Sequence, residues 1–226
     1  MSLRVLTWNL FHGRAVPPRN ENLFDAFALR LSSWSWDVAL LQEVPPWWPA
    51  LLARVCDAEA RFVLTSRNAF MPLRQFVASR RPELLKANGG GGNAILVRGL
   101  GGVTAHAWRR LRVWPERRVV HAVSVRVGND SIWFANVHAS THPPRARRDL
   151  AAAHAAVLRW AGDAPLVLGG DFNVVRVALP GFTHAGASHI DHVIARGLAH
   201  ARDAHGTVLE RGSLSDHAPL CVTLEH

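Results

Sequence analysis

Leu166-Val167-Leu168-Gly169-Gly170-Asp171-Phe172-Asn173 is an apolar run that stops at a carboxylate and a carboxamide. Such a short run, closed by turn residues, reads as a buried strand. The pattern recurs along the chain. Asn9 follows Val5-Leu6-Thr7-Trp8, and Glu43 follows Leu40-Leu41-Gln42. Asn136 and His138 close Ile132-Trp133-Phe134, Asp191 follows His189-Ile190, and Asp216-His217 opens a last strand. Any one of these groups alone reads best as a polar residue capping a turn. Six strand ends of this kind read differently. In a layered fold, strand ends meet along one rim, so their side chains can converge on one cleft.

The remaining segments fit a strand-dominated chain with a few helices. Arg4–Leu10, Val38–Val44, Arg61–Leu64, Ala94–Arg98, Val103–Arg112, Arg117–Val127, Ser131–His138, Ile190–Ala195 and His217–Leu224 read as strands, with Gly128-Asn129-Asp130 as a hairpin turn. Helical spacing appears at Glu21–Leu31, where Asn20 or Asn22 offers a cap, at Trp47–Val55, and most clearly at Arg145–Trp160 behind Pro143-Pro144. Thr65–Gly92 reads mostly as loop, with a short helix around Glu83–Lys86. Repeats and breaks in composition are missing, so one domain over residues 1–226 is expected. Met1–Leu3 and Leu224–His226 resemble vector and tag remnants and are set aside.

Composition narrows the function classes. The chain has 226 residues, 49% apolar and 19% charged, which excludes wholesale disorder. Its two cysteines, Cys56 and Cys221, argue against a disulfide framework and a thiolate zinc site. The apolar runs are too short to span a bilayer, and the first residues do not resemble a signal peptide. A soluble cytoplasmic monomer without membrane insertion is expected.

The net charge is +9, and 25 of the 26 basic residues are arginine, a bias that composition alone can produce. Its distribution is uneven. Residues 61–118 hold 12 basic and 2 acidic residues, while the flanking stretches are close to neutral. That surplus is either a solvated arginine face or a surface for a phosphate-bearing partner. Arg145, Arg147 and Arg148 open the long helix, where the dipole disfavours cations, and suggest a second phosphate-contacting cluster. Trp34, Trp36 and Trp47-Trp48 read as core or helix-packing residues.

An Asp, Glu and Asn set without cysteine is a hard, oxygen-rich site suited to Mg²⁺ or Mn²⁺. A carboxylate beside a histidine can orient and charge the imidazole. A metal, a charged imidazole and neutral amides are what phosphate-ester cleavage needs.

These residues also form an ordered motif set. Thr7-Trp8-Asn9-Leu10, Leu41-Gln42-Glu43-Val44, Gly92-Asn93-Ala94-Ile95-Leu96, Asn136-Val137-His138, Gly169-Gly170-Asp171-Phe172-Asn173, Ile190-Asp191-His192-Val193 and Ser215-Asp216-His217-Ala218-Pro219-Leu220 occur in this order. The chain resembles the endonuclease/exonuclease/phosphatase superfamily, the deoxyribonuclease-like fold, from Leu6 to Leu220. The resemblance implies a four-layer α/β/β/α sandwich: two mixed sheets face to face, flanked by helices. It implies Glu43 as main metal ligand, with Asn9 beside it and Asp216 in support. It implies Asp171 as general base, with Asn173 orienting the attacking water, and Asp191 paired with His217, which contacts the phosphate. His138 falls where deoxyribonuclease-like members carry a second catalytic histidine. Abasic-site nucleases carry a tyrosine there, and this chain has none. Arg67, Asn68, Asn93 and Asn136 are candidate substrate-binding or supporting residues. Arg67-Asn68, Pro72-Leu73-Arg74 and Gly89-Gly90-Gly91 are similar to a stretch in small bacterial members, a likeness that carries no substrate assignment. His12, His142, His184, His189 and His192 read as surface or supporting groups, with His12 and His142 just after catalytic strand ends.

The function expected is a metal-dependent phosphodiesterase on DNA or RNA. The alternatives are a phosphohydrolase of a small phosphoester (lipid head group, nucleotide or sugar phosphate) and a non-catalytic binding module.

Overall fold

Strand alternation sorts the apolar side chains of this chain onto two faces, and that sorting builds the layers. The computed structural model describes residues 1–65, 70–80, 91–200 and 206–226. Its strands are β1 (Ser2–Asn9), β2 (Val38–Val44), β3 (Glu59–Leu64), β4 (Gly92–Val97), β5 (Val103–Arg112), β6 (Arg118–Val127), β7 (Asp130–His138), β8 (Leu166–Asp171), β9 (Thr183–Ser188), β10 (Asp191–Arg196), β11 (Ala199–His200), β12 (Thr207–Val208) and β13 (Leu220–Glu225). The helices are α1 (Phe24–Ser33), α2 (Pro49–Val55), α3 (Met71–Arg80) and α4 (Pro143–Ala161), with a 3-10 turn at Phe11–Gly13.

One sheet runs β11-β13-β1-β2-β4-β3, with β12 also on β13; the other runs β5-β6-β7-β8-β10-β9. Both are mixed: β1–β2 and β7–β8 are parallel, and each sheet also has antiparallel pairs. Leu3, Val5, Val38 and Leu40 of the first sheet meet Val123, Phe134, Val167 and Val193 of the second. Their sequence neighbours point the other way. Leu6, Trp8, Ala39 and Leu41 pack with Phe27, Leu31 and Leu52 of α1 and α2. Val120, Ala135, Val137 and Leu168 pack with Leu150, Ala153 and Val157 of α4. The order is helix, sheet, sheet, helix, the sandwich that the resemblance implies.

The same alternation aims the polar strand ends. Asn9, Asn136, His138, Asp171 and Asp191 share parity with the inward-facing residues of their own strands. In the second sheet, Asp171 is the register partner of both His138 and Asp191, so three polar groups stand side by side on one face. Gly170 makes this alignment possible. It has φ +136°, and a Cβ there would lie 1.9 Å from the Val137 carbonyl oxygen. Glu43 reaches the cleft differently. Plain alternation would send it outward with Ala39 and Leu41, but the β2–β4 register shifts between Leu41 and Val44, and this bulge re-aims it.

Three readings of the sequence need correction. A helix, α3, occupies Met71–Arg80 where loop was expected; Leu73 and Phe76 are exposed, so no packed stripe betrays it. The expected helix at 83–86 lies outside the described residues. The edge strand β9, Thr-His-Ala-Gly-Ala-Ser, was not anticipated, because its small and polar residues carry little strand signal. Both chain ends belong to the fold: Leu3 and Leu224 are buried register partners.

Candidate active site

Asp171 ends β8 on the inner face and is almost fully buried. Its Oδ1 accepts the Asn173 N–H at 3.0 Å, and its Oδ2 accepts Asn9 Nδ2–H at 3.1 Å. Asn173 itself adopts φ +51°, and its Nδ2 donates to the Ala139 carbonyl at 3.0 Å. His217 lies in the turn before β13, with Nδ1 2.7 Å from Asp191 Oδ2 and Nε2 3.8 Å from Asp171 Oδ2. That turn is fixed from below. Ser215 Oγ donates to the Asn9 carbonyl at 2.6 Å and accepts the His217 N–H at 3.0 Å, while Trp8 Nε1 donates to the His217 carbonyl at 3.0 Å.

Electrostatics divide these groups into distinct roles. Burial first, and the charge of Asp191 second, push the Asp171 carboxyl well above the ordinary carboxylate range. Burial works to lower His217, but the hydrogen bond and charge of Asp191, with Asp171 and Asp216 behind, raise it to about 9. Burial holds the His138 imidazole well below its usual value, helped by Arg118, His217 and His12. The cleft therefore sets a charged imidazole, a neutral imidazole and a carboxylate of raised basicity around one point.

Glu43 completes the ring. Its Oε1 is 3.9 Å from His138 Nε2, which is in turn 3.4 Å from Asp171 Oδ2. Its Oε2 lies 3.0 Å from His12 Nε2. The sequence marks His12 as a surface or supporting group worth attention, and among the described residues it is the nearest imidazole to Glu43. Its position just after the Asn9 strand end was the available signal. Asp216 stands at the exposed mouth, its Oδ1 3.9 Å from His217 Nε2.

The candidate substrate residues are placed differently. Asn136 is fully buried, donating to the Leu41 and Ala94 carbonyls at 2.9 Å and accepting Gln42 Nε2–H at 2.8 Å, so it braces one sheet against the other. Asn93 is also fully buried and donates to the Val119 carbonyl at 3.3 Å. Arg67 and Asn68 lie outside the described residues. His192 is buried and bonded between His184 and the Val174 carbonyl, away from the ring. Trp8, Trp36 and Trp48 are core residues, and Arg145, Arg147 and Arg148 are exposed at the start of α4.

The donor set fits a hard cation. Carboxylates from Asp171, Asp191 and Asp216 lie within 4 Å of His217, the Glu43 carboxylate lies beside His138, and Asp191 Oδ1 is buried without a partner. Asp171, Asp191 and His217 offer ligand atoms within 4.8 Å of one another. The 2.7 Å His217–Asp191 bond already occupies two of those atoms.

Comparison with known proteins agrees with this fold. The Endonuclease/Exonuclease/phosphatase family profile matches residues 6–217. Among solved structures, an endonuclease/exonuclease/phosphatase from Beutenbergia cavernae DSM 12333 is similar with a TM-score of 0.77 and 20% identity, over 99% of this chain and 71% of that one. TDP2 from Caenorhabditis elegans is similar at 0.72 and 14%, over 100% and 75%. A mannosyl-6-phosphatase from Bacteroides thetaiotaomicron VPI-5482 is similar at 0.67 and 13%, over 99% and 100%. Identities this low speak to the fold alone. No curated protein matches the chain.

Proposed function

The chain belongs to the endonuclease/exonuclease/phosphatase family, a family of phosphoester hydrolases, and from that membership we propose a divalent-metal-dependent phosphodiesterase that cleaves nucleic acid. The observation that carries the reading is the ring Glu43–His138–Asp171–His217, each member within 4 Å of the next, at the open end of the sandwich. The arginine surplus of residues 61–118 favours a polyanionic substrate over a small one. Two free cysteines, Cys56 and Cys221, suit a reducing cytoplasmic setting.

In this reading Asp171 takes the proton of the attacking water, and Asn173 and Asn9 hold that carboxylate in place. His217, kept charged by Asp191, donates Nε2–H to a phosphate oxygen and offsets the charge that grows in the transition state. Neutral His138 supplies a hydrogen bond from the opposite side without adding a competing charge. Glu43, with Asn9 and Asp216, would hold Mg²⁺ or Mn²⁺, whose Lewis acidity neutralises phosphate charge when bound.

The test is a panel of phosphomonoesters, phosphodiesters, DNA and RNA, assayed with Mg²⁺ and with Mn²⁺ on wild type and Glu43→Ala in parallel. Diester and oligonucleotide cleavage that EDTA abolishes, and that falls by about 10²–10³ in Glu43→Ala, is expected. Cleavage of monoesters alone would replace this reading with the small-phosphoester one. Equal activity in wild type and variant would refute both.

A further inference from the structure

The edge strands of the two sheets, β3 and β5, lie next to each other, joined where the Val103 N–H donates to Glu59 Oε2 at 2.9 Å. Between β3 and β5 lies a cavity of about 620 Å³, floored by Phe62 and Val119 and bounded by Pro46, Trp108, Arg110 and Arg117. Pro46 follows β2 just beyond Glu43. The sheet register fixes how this trough meets the chemistry. Arg110 is the register partner of Val119, and the pairing of Val120 with Val137 puts Val119 level with His138. Arg110, Val119 and His138 thus stand in one row across β5, β6 and β7, with side chains on the same face. Two strand spacings, about 10 Å, separate the outer pair of backbones.

What lines the trough is unusual for a surface. Trp108 is 59% exposed although its register partner, His121, is fully buried. Arg110 and Arg117 are exposed beside it, and Glu116 is already paired with Arg118. An exposed indole with two arginines to one side of it along the strands, opposite an apolar wall, offers a face for an unstacked base and cations for the phosphates that follow it. We propose that this trough binds the single-stranded nucleic-acid segment flanking the scissile phosphate, with a base on Trp108 and phosphates on Arg110 and Arg117. The assignment rests on the phosphodiesterase reading of the ring and gives its substrate class: an unpaired polynucleotide strand that enters along β5.

The experiment measures fluorescence anisotropy of a labelled oligothymidine of about 12 nucleotides, without metal, against wild type, Trp108→Ala, Trp108→Phe and the double variant Arg110→Gln/Arg117→Gln. Trp108→Ala is expected to weaken binding about tenfold and Trp108→Phe to restore most of it. The double arginine variant is expected to flatten the log–log salt dependence by about 1.4, two single-strand phosphates at about 0.7 each. With metal, the ratio of oligonucleotide to bis(p-nitrophenyl) phosphate turnover should fall in Trp108→Ala by a similar factor. Unchanged binding and an unchanged ratio would overturn the trough. So would a duplex of the same length binding wild type as tightly as the single strand, since paired bases cannot stack on Trp108. If wild type leaves both diesters intact while binding still depends on Trp108, the phosphodiesterase reading fails and the binding site stands.

Discussion

Glu43, His12, Asn173 and Ser215 are not glycines, yet their φ angles lie between 50° and 61°. Each such residue costs about 1–3 kcal/mol, and here the cost is concentrated where side chains must be aimed at one point. Comparing two variants that both lack the carboxylate isolates this strain. Glu43→Gly is expected to exceed Glu43→Ala in stability by about 1 kcal/mol, measured by urea unfolding, while both are inactive. Equal stabilities would mean that the bulge holds Glu43 without strain. His12, 3.0 Å from Glu43, should act by orienting it. His12→Ala is expected to lower Mn²⁺ affinity or diester turnover about 10–100-fold, checked by titration and kinetics. At this scale the sequence exposes the strand-end groups, because period-two alternation ties Asp171, His138 and Asp191 to their inward-facing neighbours. It hides Glu43's true aim, which depends on a bulge, and His12's role, which depends on a left-handed turn. Neither leaves a pattern in residue type.

Among the elements, α4 does more than cover a sheet. Its Asp149 is 1% exposed, accepts both the N–H and the hydroxyl of Ser140, and pairs with Arg112 of β5 at 2.9 Å. This contact anchors the turn that follows His138. Asp149→Ala is expected to cost about 3–5 kcal/mol in urea unfolding and to reduce turnover, because it strands a buried N–H and leaves Arg112 unpaired. The strand β6 carries a buried imidazole. Burial first, and His106 second, pull His121 from 6.5 down to about 3. Folded protein therefore keeps it neutral while the unfolded chain binds a proton, so stability falls as pH drops from about 6.5 toward 3. Between pH 7 and pH 4.5, wild type should lose about 2–3 kcal/mol more than His121→Leu in denaturant titrations. Equal losses would show that His121 titrates normally. The long helix and the continuous apolar strands are legible in sequence because each buries a regular stripe. The helix α3 and the edge strand β9 are not, since one exposes Leu73 and Phe76 and the other is built from small residues.

The whole molecule works as two sheets that share one core and open at one end. The first sheet supplies Asn9 and Glu43, the turn before β13 supplies Asp216 and His217, and the second sheet supplies His138, Asp171 and Asp191. A site split this way exists only when the sandwich is closed, and there four carboxyl groups gather, three of them within 4 Å of the charged imidazole of His217 and Glu43 beside His138. Divalent metal should therefore stabilise the folded protein, with a saturating rise in melting temperature that Glu43→Ala lacks. No described helix is long and apolar enough to cross a membrane. The central claim is that one divalent cation, held by Glu43 across the cleft from Asp171, joins these groups into a hydrolytic site. Mn²⁺ titration followed by electron paramagnetic resonance, run beside diester turnover, tests it most directly. The expected result is Mn²⁺ binding to wild type that tracks turnover and weakens at least about tenfold in Glu43→Ala. Equal Mn²⁺ affinity in the two proteins, or full turnover after the metal is stripped, would contradict it.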